Sequence, residues 1–321
     1  MNDERRAKQV FTSAFIVLTS SLLLEVTVRH LKFISITLLI LLSALPTLAA
    51  DFRPNGLIVL LTDFGTRDFY VGAMKGAILR TSPNIRIEDI THEVPKYDIA
   101  EGAYTLLKSA PEFPKGAVFL CVVDPGVGTA RKPVAVLTSD GNAYVGPDNG
   151  LFTRVIDAAG LIAAYELTNA DLMGKDLISS TFHGRDVFGP VAAHLASGFP
   201  IDRVGPRLES LVRLETRRPR IEGGVVIGEV TLVDEYGDVL TNLLRKDLEQ
   251  AGIQKGDTLK IRIGDREVVA PFLKTYGDVP EGKPVCMVSS GEVFEIALNQ
   301  GDLGKSTGAR RGDPVTVQKT K

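Results

Sequence analysis

The 321-residue chain has no tryptophan, two cysteines and four histidines, and its 37 basic residues are balanced by 39 acidic ones. Each scarcity argues against a class of function. Without a basic excess there is nothing to neutralise a phosphate backbone, so a nucleic-acid partner is not expected. Cys121 and Cys286 each lie inside an apolar, strand-like run. They read as buried thiols rather than a disulfide framework or a zinc site. His30, His92, His183 and His194 are scattered, with neither His-x-x-x-His spacing nor a carboxylate cluster. No metal site is therefore expected.

What is present begins with a leader. Arg29-His30-Leu31-Lys32 precedes an apolar stretch from Phe33 to Leu45, then Pro46-Thr47-Leu48-Ala49-Ala50 and a polar turn at Asp51. A basic, an apolar and a small-residue region in that order describe a secretory signal peptide, with a single membrane anchor as the other reading. Residues 1–50 are assigned to this leader, and the expected location is outside the cytoplasm, in the periplasm. A second apolar run, Phe11 to Leu24, lies upstream and is explained if translation starts at Val28.

From Leu57 onward strand-like and helix-like patterns alternate. Leu57–Leu61 and Ala117–Val123 are short apolar runs, as expected of strands buried on both faces. Val71–Leu79 and Ile99–Ser109 have helical spacing, Ile85–Ile90 reads as another strand, and Asp186–Ala196 as a further helix. Val134–Leu137 and Ala143–Val145 read as a hairpin around Asp140-Gly141-Asn142. The fold class is α/β: an N-terminal three-layer α/β domain, residues 51–216, with a largely parallel sheet. After about Pro219 the helices thin out. Val225–Ile227, Val230–Val233, Leu259–Ile263, Val285–Val288 and Val315–Val317 are short strands between Gly-rich turns. They predict a small C-terminal β-barrel over residues 217–321, reached through the charge-rich segment Arg213–Gly224.

Two carboxylates occupy a telling position. Asp63 follows the first strand and Asp124 the third. In open α/β sheets ligands bind beyond the carboxyl ends of the strands, where a carboxylate can accept from a ribose diol. Capping of the next turn is the alternative role for either residue. Gly126-Val127-Gly128-Thr129-Ala130-Arg131 puts Arg131 where a dinucleotide loop needs its third glycine, so that reading fails. His183 sits in a polar, Gly-containing stretch just before a helix, a place where side chains project into clefts. His194 lies in an apolar helix and reads as a satisfied core histidine.

Together the motifs Thr62-Asp63-Phe64-Gly65, Val123-Asp124-Pro125-Gly126-Val127-Gly128-Thr129-x-Arg131, Pro147-Asp148-Asn149-Gly150 and Ser180-Thr181-Phe182-His183-Gly184-Arg185-Asp186 resemble the S-adenosylmethionine hydroxide adenosyltransferase family. Those enzymes are related to the fluorinase and chlorinase. The resemblance runs from about Leu57 to Val317. It implies an α/β domain followed by a barrel, a homotrimer with active sites between subunits, and no cofactor. The implied reaction is S-adenosylmethionine (SAM) plus water giving adenosine and methionine.

It further implies that Asp124, Arg131 and His183 hold the nucleophile. Asp63 would accept from the ribose diol, with Tyr97 and Phe182 against the nucleoside. Asp234 would bind the methionine ammonium, Tyr236 would stack on adenine and Ser289 would bind the carboxylate. Asp238 and Asn299 complete the implied set. Three features depart from the family pattern: Asp238 stands where Asn is expected, Lys132 follows Arg131 in place of a second Arg, and the chain carries a leader. The alternatives are a SAM-dependent halogenase and an exported nucleoside-binding protein without turnover. Halide sites in these relatives abandon the Asp, Arg and His set, because a carboxylate beside a bare halide is repulsive.

Overall fold

The computed structural model describes residues 52–174 and 178–320; the expected leader, residues 1–50, lies outside them. The first half contains β1 (Leu57–Thr62), α1 (Tyr70–Thr81), β2 (Arg86–Thr91), α2 (Ile99–Ser109), β3 (Val118–Val122), β4 (Pro133–Thr138), β5 (Ala143–Pro147), α3 (Thr153–Ala159), β6 (Leu161–Glu166) and α4 (Gly189–Ala196). The apolar runs do form strands: every residue of β1 and of β3 is buried. Burial on both faces leaves no room for the alternation seen in half-exposed strands.

The six strands form one sheet in the order β2-β1-β3-β5-β4-β6. β1 pairs in parallel with β2 and β3, and β3 with β5, while β4 runs antiparallel to both of its neighbours. Five strands therefore share one direction, and β4–β5 is the expected hairpin. Ala103 and Leu106 of α2 and Val155 and Ile156 of α3 pack on Val59, Leu61, Phe119 and Cys121 in one core. Helices α1 and α4 pack together, with α4 also against β1 and β3. The result is the expected three layers.

Strand order fixes the site. From β1 the chain crosses to β2 on one side, then returns past β1 to β3 on the other. Such a reversal opens a crevice at the carboxyl edge. Thr62 pairs with Val122, so the residues just beyond them, Asp63 and Asp124, emerge side by side.

The second half contains β7 (Arg220–Glu222), β8 (Val225–Val233), β9 (Val239–Leu244), α5 (Arg245–Gln250), β10 (Thr258–Ile263), β11 (Arg266–Pro271), β12 (Pro284–Val288), β13 (Val293–Leu298), α6 (Leu303–Thr307) and β14 (Pro314–Lys319). The strand order is β11-β10-β14-β8-β9-β13-β12, with β7 beside β8. A bridge between Phe272 and Cys286 brings the ends of the sheet together, giving a nearly closed antiparallel barrel. The two apolar runs expected as separate strands at Val225–Ile227 and Val230–Val233 are one strand, β8. Gly228 lets it pass close to Asn242 and Leu243, since a Cβ there would lie 2.3 Å from the Asn242 side chain.

The charge-rich segment Arg213–Gly224 is tied down at both ends. Arg213 pairs with Asp157 and the Leu214 amide donates to Thr153 Oγ1 at 2.9 Å, while β7 joins the barrel. No helix among the described residues is long and apolar enough to cross a membrane. Both cysteines are free and buried, and burial pushes their thiols up, as their apolar settings imply.

Candidate active site

Asp124 leaves β3 into a turn that brings Arg131 back over it. Arg131 Nε donates to Oδ1 and Oδ2 of Asp124 at 3.1 and 2.9 Å, and Nη2 donates to Oδ2 at 2.6 Å. The same Nη2 lies 2.8 Å from His183 Nδ1. Both side chains of the ion pair are buried, at 8% and 4% exposure. Burying two charges costs several kcal/mol of hydration per ion, offset only when geometry and hydrogen bonding are good. The fork-to-fork pairing supplies that geometry.

A guanidinium has no lone pair to offer, so it is the donor in the contact with His183. Nδ1 must therefore accept, which leaves the ring proton on Nε2. Burial first, then the Arg131 charge, lowers the His183 pKa below its ordinary value. The ring is thus neutral, with its orientation and tautomer both set by Arg131. Arg131 Cζ also lies 5.1 Å from the Phe188 ring centroid. Its remaining nitrogen, Nη1, is buried with no hydrogen-bond partner among the described residues.

The loop carrying His183 is locked to the loop carrying Arg131. Gly128 has φ +75°, and a Cβ there would sit 2.3 Å from the Ser180 carbonyl oxygen. Only glycine allows both the left-handed turn and that approach. After His183 the helix opens with one π-turn, Gly184–Phe188, rather than the α-turn its spacing suggests. Such turns recur at functional sites. Asp186 anchors this one by accepting from Arg185 Nε and Nη2 and from the Ser179 amide at 2.6, 2.9 and 2.9 Å.

Asp63 lies close enough for the Asp124 charge to act on it, although burial is the largest of the effects raising its pKa. Its Oδ2 accepts from the Tyr97 amide at 2.8 Å. Tyr97 has φ 68°, rare for a residue with a Cβ, and the residue is 68% exposed. Strain of this kind costs about 1–3 kcal/mol, and the Asp63 hydrogen bond helps to hold it. Phe182 is buried edge-on against Phe64, Phe69 and Tyr70. Asn149 Nδ2 donates to the Val123 carbonyl at 2.8 Å, which steadies the end of β3. Lys132 is exposed and pairs with Glu166 at 2.9 Å. Its departure from the family pattern is a surface matter.

The barrel residues gather elsewhere. A cavity of about 1210 Å³ is lined by Asp234, Tyr236, Asp238, Ser289 and Asn299, together with Tyr104 and Lys108 of α2. Asp124, Arg131, His183, Asp63, Tyr97 and Phe182 are not among its described lining residues. The sequence-predicted site is therefore in two parts. Asp234 Oδ1 accepts from the amides of Tyr236 and Asp238 at 3.0 and 2.9 Å, and Tyr236 is 82% exposed. Asn299 Nδ2 is engaged by the Val279 carbonyl at 2.8 Å.

Sequence reasoning missed Tyr276 and Glu295 in this cavity, joined by a 2.5 Å hydrogen bond from the phenol. A carboxylate inside the apolar run Val293-Phe294-Glu295-Ile296-Ala297 was the available signal.

Residues 58–205 match the N-terminal domain of the SAM hydroxide adenosyltransferases, and residues 228–316 match their C-terminal domain. The chain belongs to the SAM hydroxide adenosyltransferase family. It is 39% identical over 271 residues to an (R)-S-adenosyl-L-methionine hydrolase of Thermus thermophilus, covering 81% of this chain and 98% of that protein. A second (R)-S-adenosyl-L-methionine hydrolase, from Salinispora tropica, is 40% identical, covering 82% and 98%. A fluorinase of an Actinoplanes species is 32% identical, covering 83% and 98%. The solved structure of an uncharacterized conserved protein from Thermotoga maritima superposes with a TM-score of 0.79 at 39% identity, over 81% of this chain and 99% of that one. Within the SAM hydroxide adenosyltransferase family, the hydrolases named here are more similar to this chain than the fluorinase is.

Proposed function

We propose that this chain is an enzyme that hydrolyses SAM to adenosine and methionine. The observation that carries the reading is the buried Asp124–Arg131–His183 constellation at the carboxyl edge of β3, in a chain about 40% identical to SAM hydrolases. Water oxygen attacks the ribose 5′-carbon. The carbon–sulfur bond breaks, its electron pair stays on sulfur, and one proton is released. A sulfonium leaves as a neutral thioether, so the step needs no acid at sulfur. It needs an oriented oxygen on the far side of the carbon.

The Arg131 guanidinium, whose Nη1 is buried without a hydrogen-bond partner among the described residues, supplies the positive charge that favours the anionic form of that oxygen. His183 Nε2–H can donate to it as well. Both Asp124 oxygens are taken up by Arg131, so Asp124 acts by fixing the guanidinium. Proton uptake at His183 Nδ1 requires Arg131 Nη2 to let go. Asp124, whose carboxylate would repel a halide, is kept together with Arg131 and His183, which supports hydrolysis over halogenation, and a constellation suited to activating water weighs against a binding protein without turnover.

In this reading Asp63 accepts from the ribose diol, Tyr97 and Phe182 flank the sugar, Asp234 takes the methionine ammonium, Tyr236 covers adenine and Ser289 meets the carboxylate. No resident cofactor or metal has a role in these steps. The separation of nucleophile-holding and barrel residues within one chain supports a homotrimer whose sites each combine one subunit's α/β edge with a neighbour's barrel. The leader pattern supports export, where the enzyme would meet SAM outside the cytoplasm.

The test is incubation of the mature protein with each sulfonium epimer of SAM, since the relatives' names specify (R). Adenosine and methionine are followed by chromatography, with and without added halide. Equimolar adenosine and methionine are expected. A halogenated nucleoside, or no adenosine from folded protein, would overturn the reading.

A further inference from the structure

We propose that Asp238 determines base specificity in the barrel cavity by presenting its carboxyl as a neutral acid. It would donate to a purine ring nitrogen and accept from the neighbouring exocyclic amine. The proposal rests on the reading that this cavity receives the adenosyl group.

Asp238 sits in the turn between β8 and β9, 6% exposed. The groups around it are mostly acidic. Asp234 shares its turn, and Glu295 of β13 is 4% exposed. Tyr276, from the turn before β12, donates its one proton to Glu295 and also lies within hydrogen-bonding reach of Asp238. Asp302, which caps α6, touches the same turn: a Cβ on Gly237 would lie 2.2 Å from its Oδ1. From α2, Tyr104 and Lys108 face the cavity with Glu112, and Lys108 Nζ is held by the Gly291 carbonyl at 2.5 Å.

Two buried carboxylates, Asp238 and Glu295, beside one committed phenolic proton oppose each other's ionisation. Burial, then the charges of Asp234 and Glu295, push Asp238 up to about 6. Burial raises Glu295 too, although the Tyr276 hydrogen bond opposes that. A protonated carboxyl offers one donor and one acceptor side by side, as a side-chain amide does. Adenine presents the complement, an acceptor N7 beside the N6 amine, whereas a 6-oxopurine puts two acceptors there. An acceptor-only carboxylate matches neither ring edge.

The experiment is calorimetric binding of adenosine and of inosine to the full mature protein, from about pH 5.5 to 8, in buffers of different ionisation enthalpy. Adenosine affinity is expected to fall by up to about tenfold per pH unit above about 6, with matching proton uptake on binding. Inosine should bind more weakly at the acid end. Asp238→Asn should bind adenosine within about threefold of the wild-type acid limit and lose the pH slope. Glu295→Gln removes a like charge, so its midpoint should move to lower pH. A folded Asp238→Asn that keeps the wild-type slope, or that binds no adenosine at any pH, overturns the proposal. So does wild-type protein that binds none. Adenosine binding with the expected slope but without SAM turnover would overturn the hydrolase reading alone; turnover with a slope unchanged by Asp238→Asn would overturn this one alone.

Discussion

Arg131 Nη2 donates to His183 Nδ1 at 2.8 Å while the same guanidinium grips both oxygens of Asp124. The contact requires a neutral His183, because an imidazolium would place N–H against N–H. Burial and the Arg131 charge favour the same form. In the proposed reaction the enzyme is therefore competent above the His183 pKa and loses competence as pH falls through it.

The first prediction follows from that sign. The turnover number for SAM should be level above pH 6.5 and show an acid limb lying below that value, since His183 titrates below its ordinary 6.5. His183→Gln keeps an acceptor for Arg131 but cannot titrate. It should lose this limb and about 10²–10⁴ in turnover. A pH–rate profile of both proteins checks it, and an unchanged limb in the variant would assign the limb to another group.

Arg131→Lys tests the fork rather than the charge. An ammonium cannot chelate Asp124 and reach His183 in one plane. Turnover should drop by about 10²–10³ with little change in KM. Arg131→Met goes further and leaves a buried carboxylate without its counter-ion, at a cost of about 3–5 kcal/mol. The urea midpoint should fall accordingly, and it should fall much less for Arg131→Lys.

Much of this was legible in the sequence because the strands are buried on both faces. β1 and β3 appear as unbroken apolar runs, and each ends in a carboxylate at the crevice. β6 was not legible: Leu161-Ile162-Ala163-Ala164-Tyr165-Glu166 begins with two exposed apolar residues at the sheet edge, so its period misleads. α3, seven residues long without a capping side chain, carries too little signal. At the site, position marked out Asp63 and Asp124, but no local pattern tells which histidine an arginine seven residues past Asp124 will meet. That pairing depends on the Gly128–Ser180 approach between loops distant in sequence. Tyr276 and Glu295 meet across 19 residues, and their pairing was not legible for the same reason.

That approach gives the third prediction. Gly128→Ala must accept φ +75° and relieve a 2.3 Å contact with the Ser180 carbonyl. The left-handed conformation alone costs about 1–2 kcal/mol. The cheaper response is for the two loops to separate, which lengthens the Arg131–His183 contact. Turnover should fall by at least about tenfold, while the thermal midpoint falls by only a few degrees. Gly141→Ala, where φ is +89° but the nearest neighbour lies 4.0 Å away, is the matched control. It should show a similar loss of stability with turnover unchanged. Equal effects on turnover would mean that backbone strain, not the loop contact, is responsible.

The division of the site into two groups leads to the last prediction. Asp124 and His183 belong to the α/β edge, whereas Asp234 and Ser289 line the barrel cavity. If each working site joins one subunit's edge to another's cavity, His183→Ala and Asp234→Ala remove different halves. Each variant alone should be nearly inactive. When the two are unfolded together and refolded as an equal mixture, a site is intact if its edge comes from the Asp234 variant and its cavity from the His183 variant. Random assortment makes about a quarter of the sites intact in a symmetric ring. Recovery near that fraction, dependent on co-refolding and absent from a simple mixture of folded variants, is the expected outcome. Activity no greater than the sum of the two variants would place both halves in one subunit's own site, and the barrel would then have to close on the Asp124 edge within the chain.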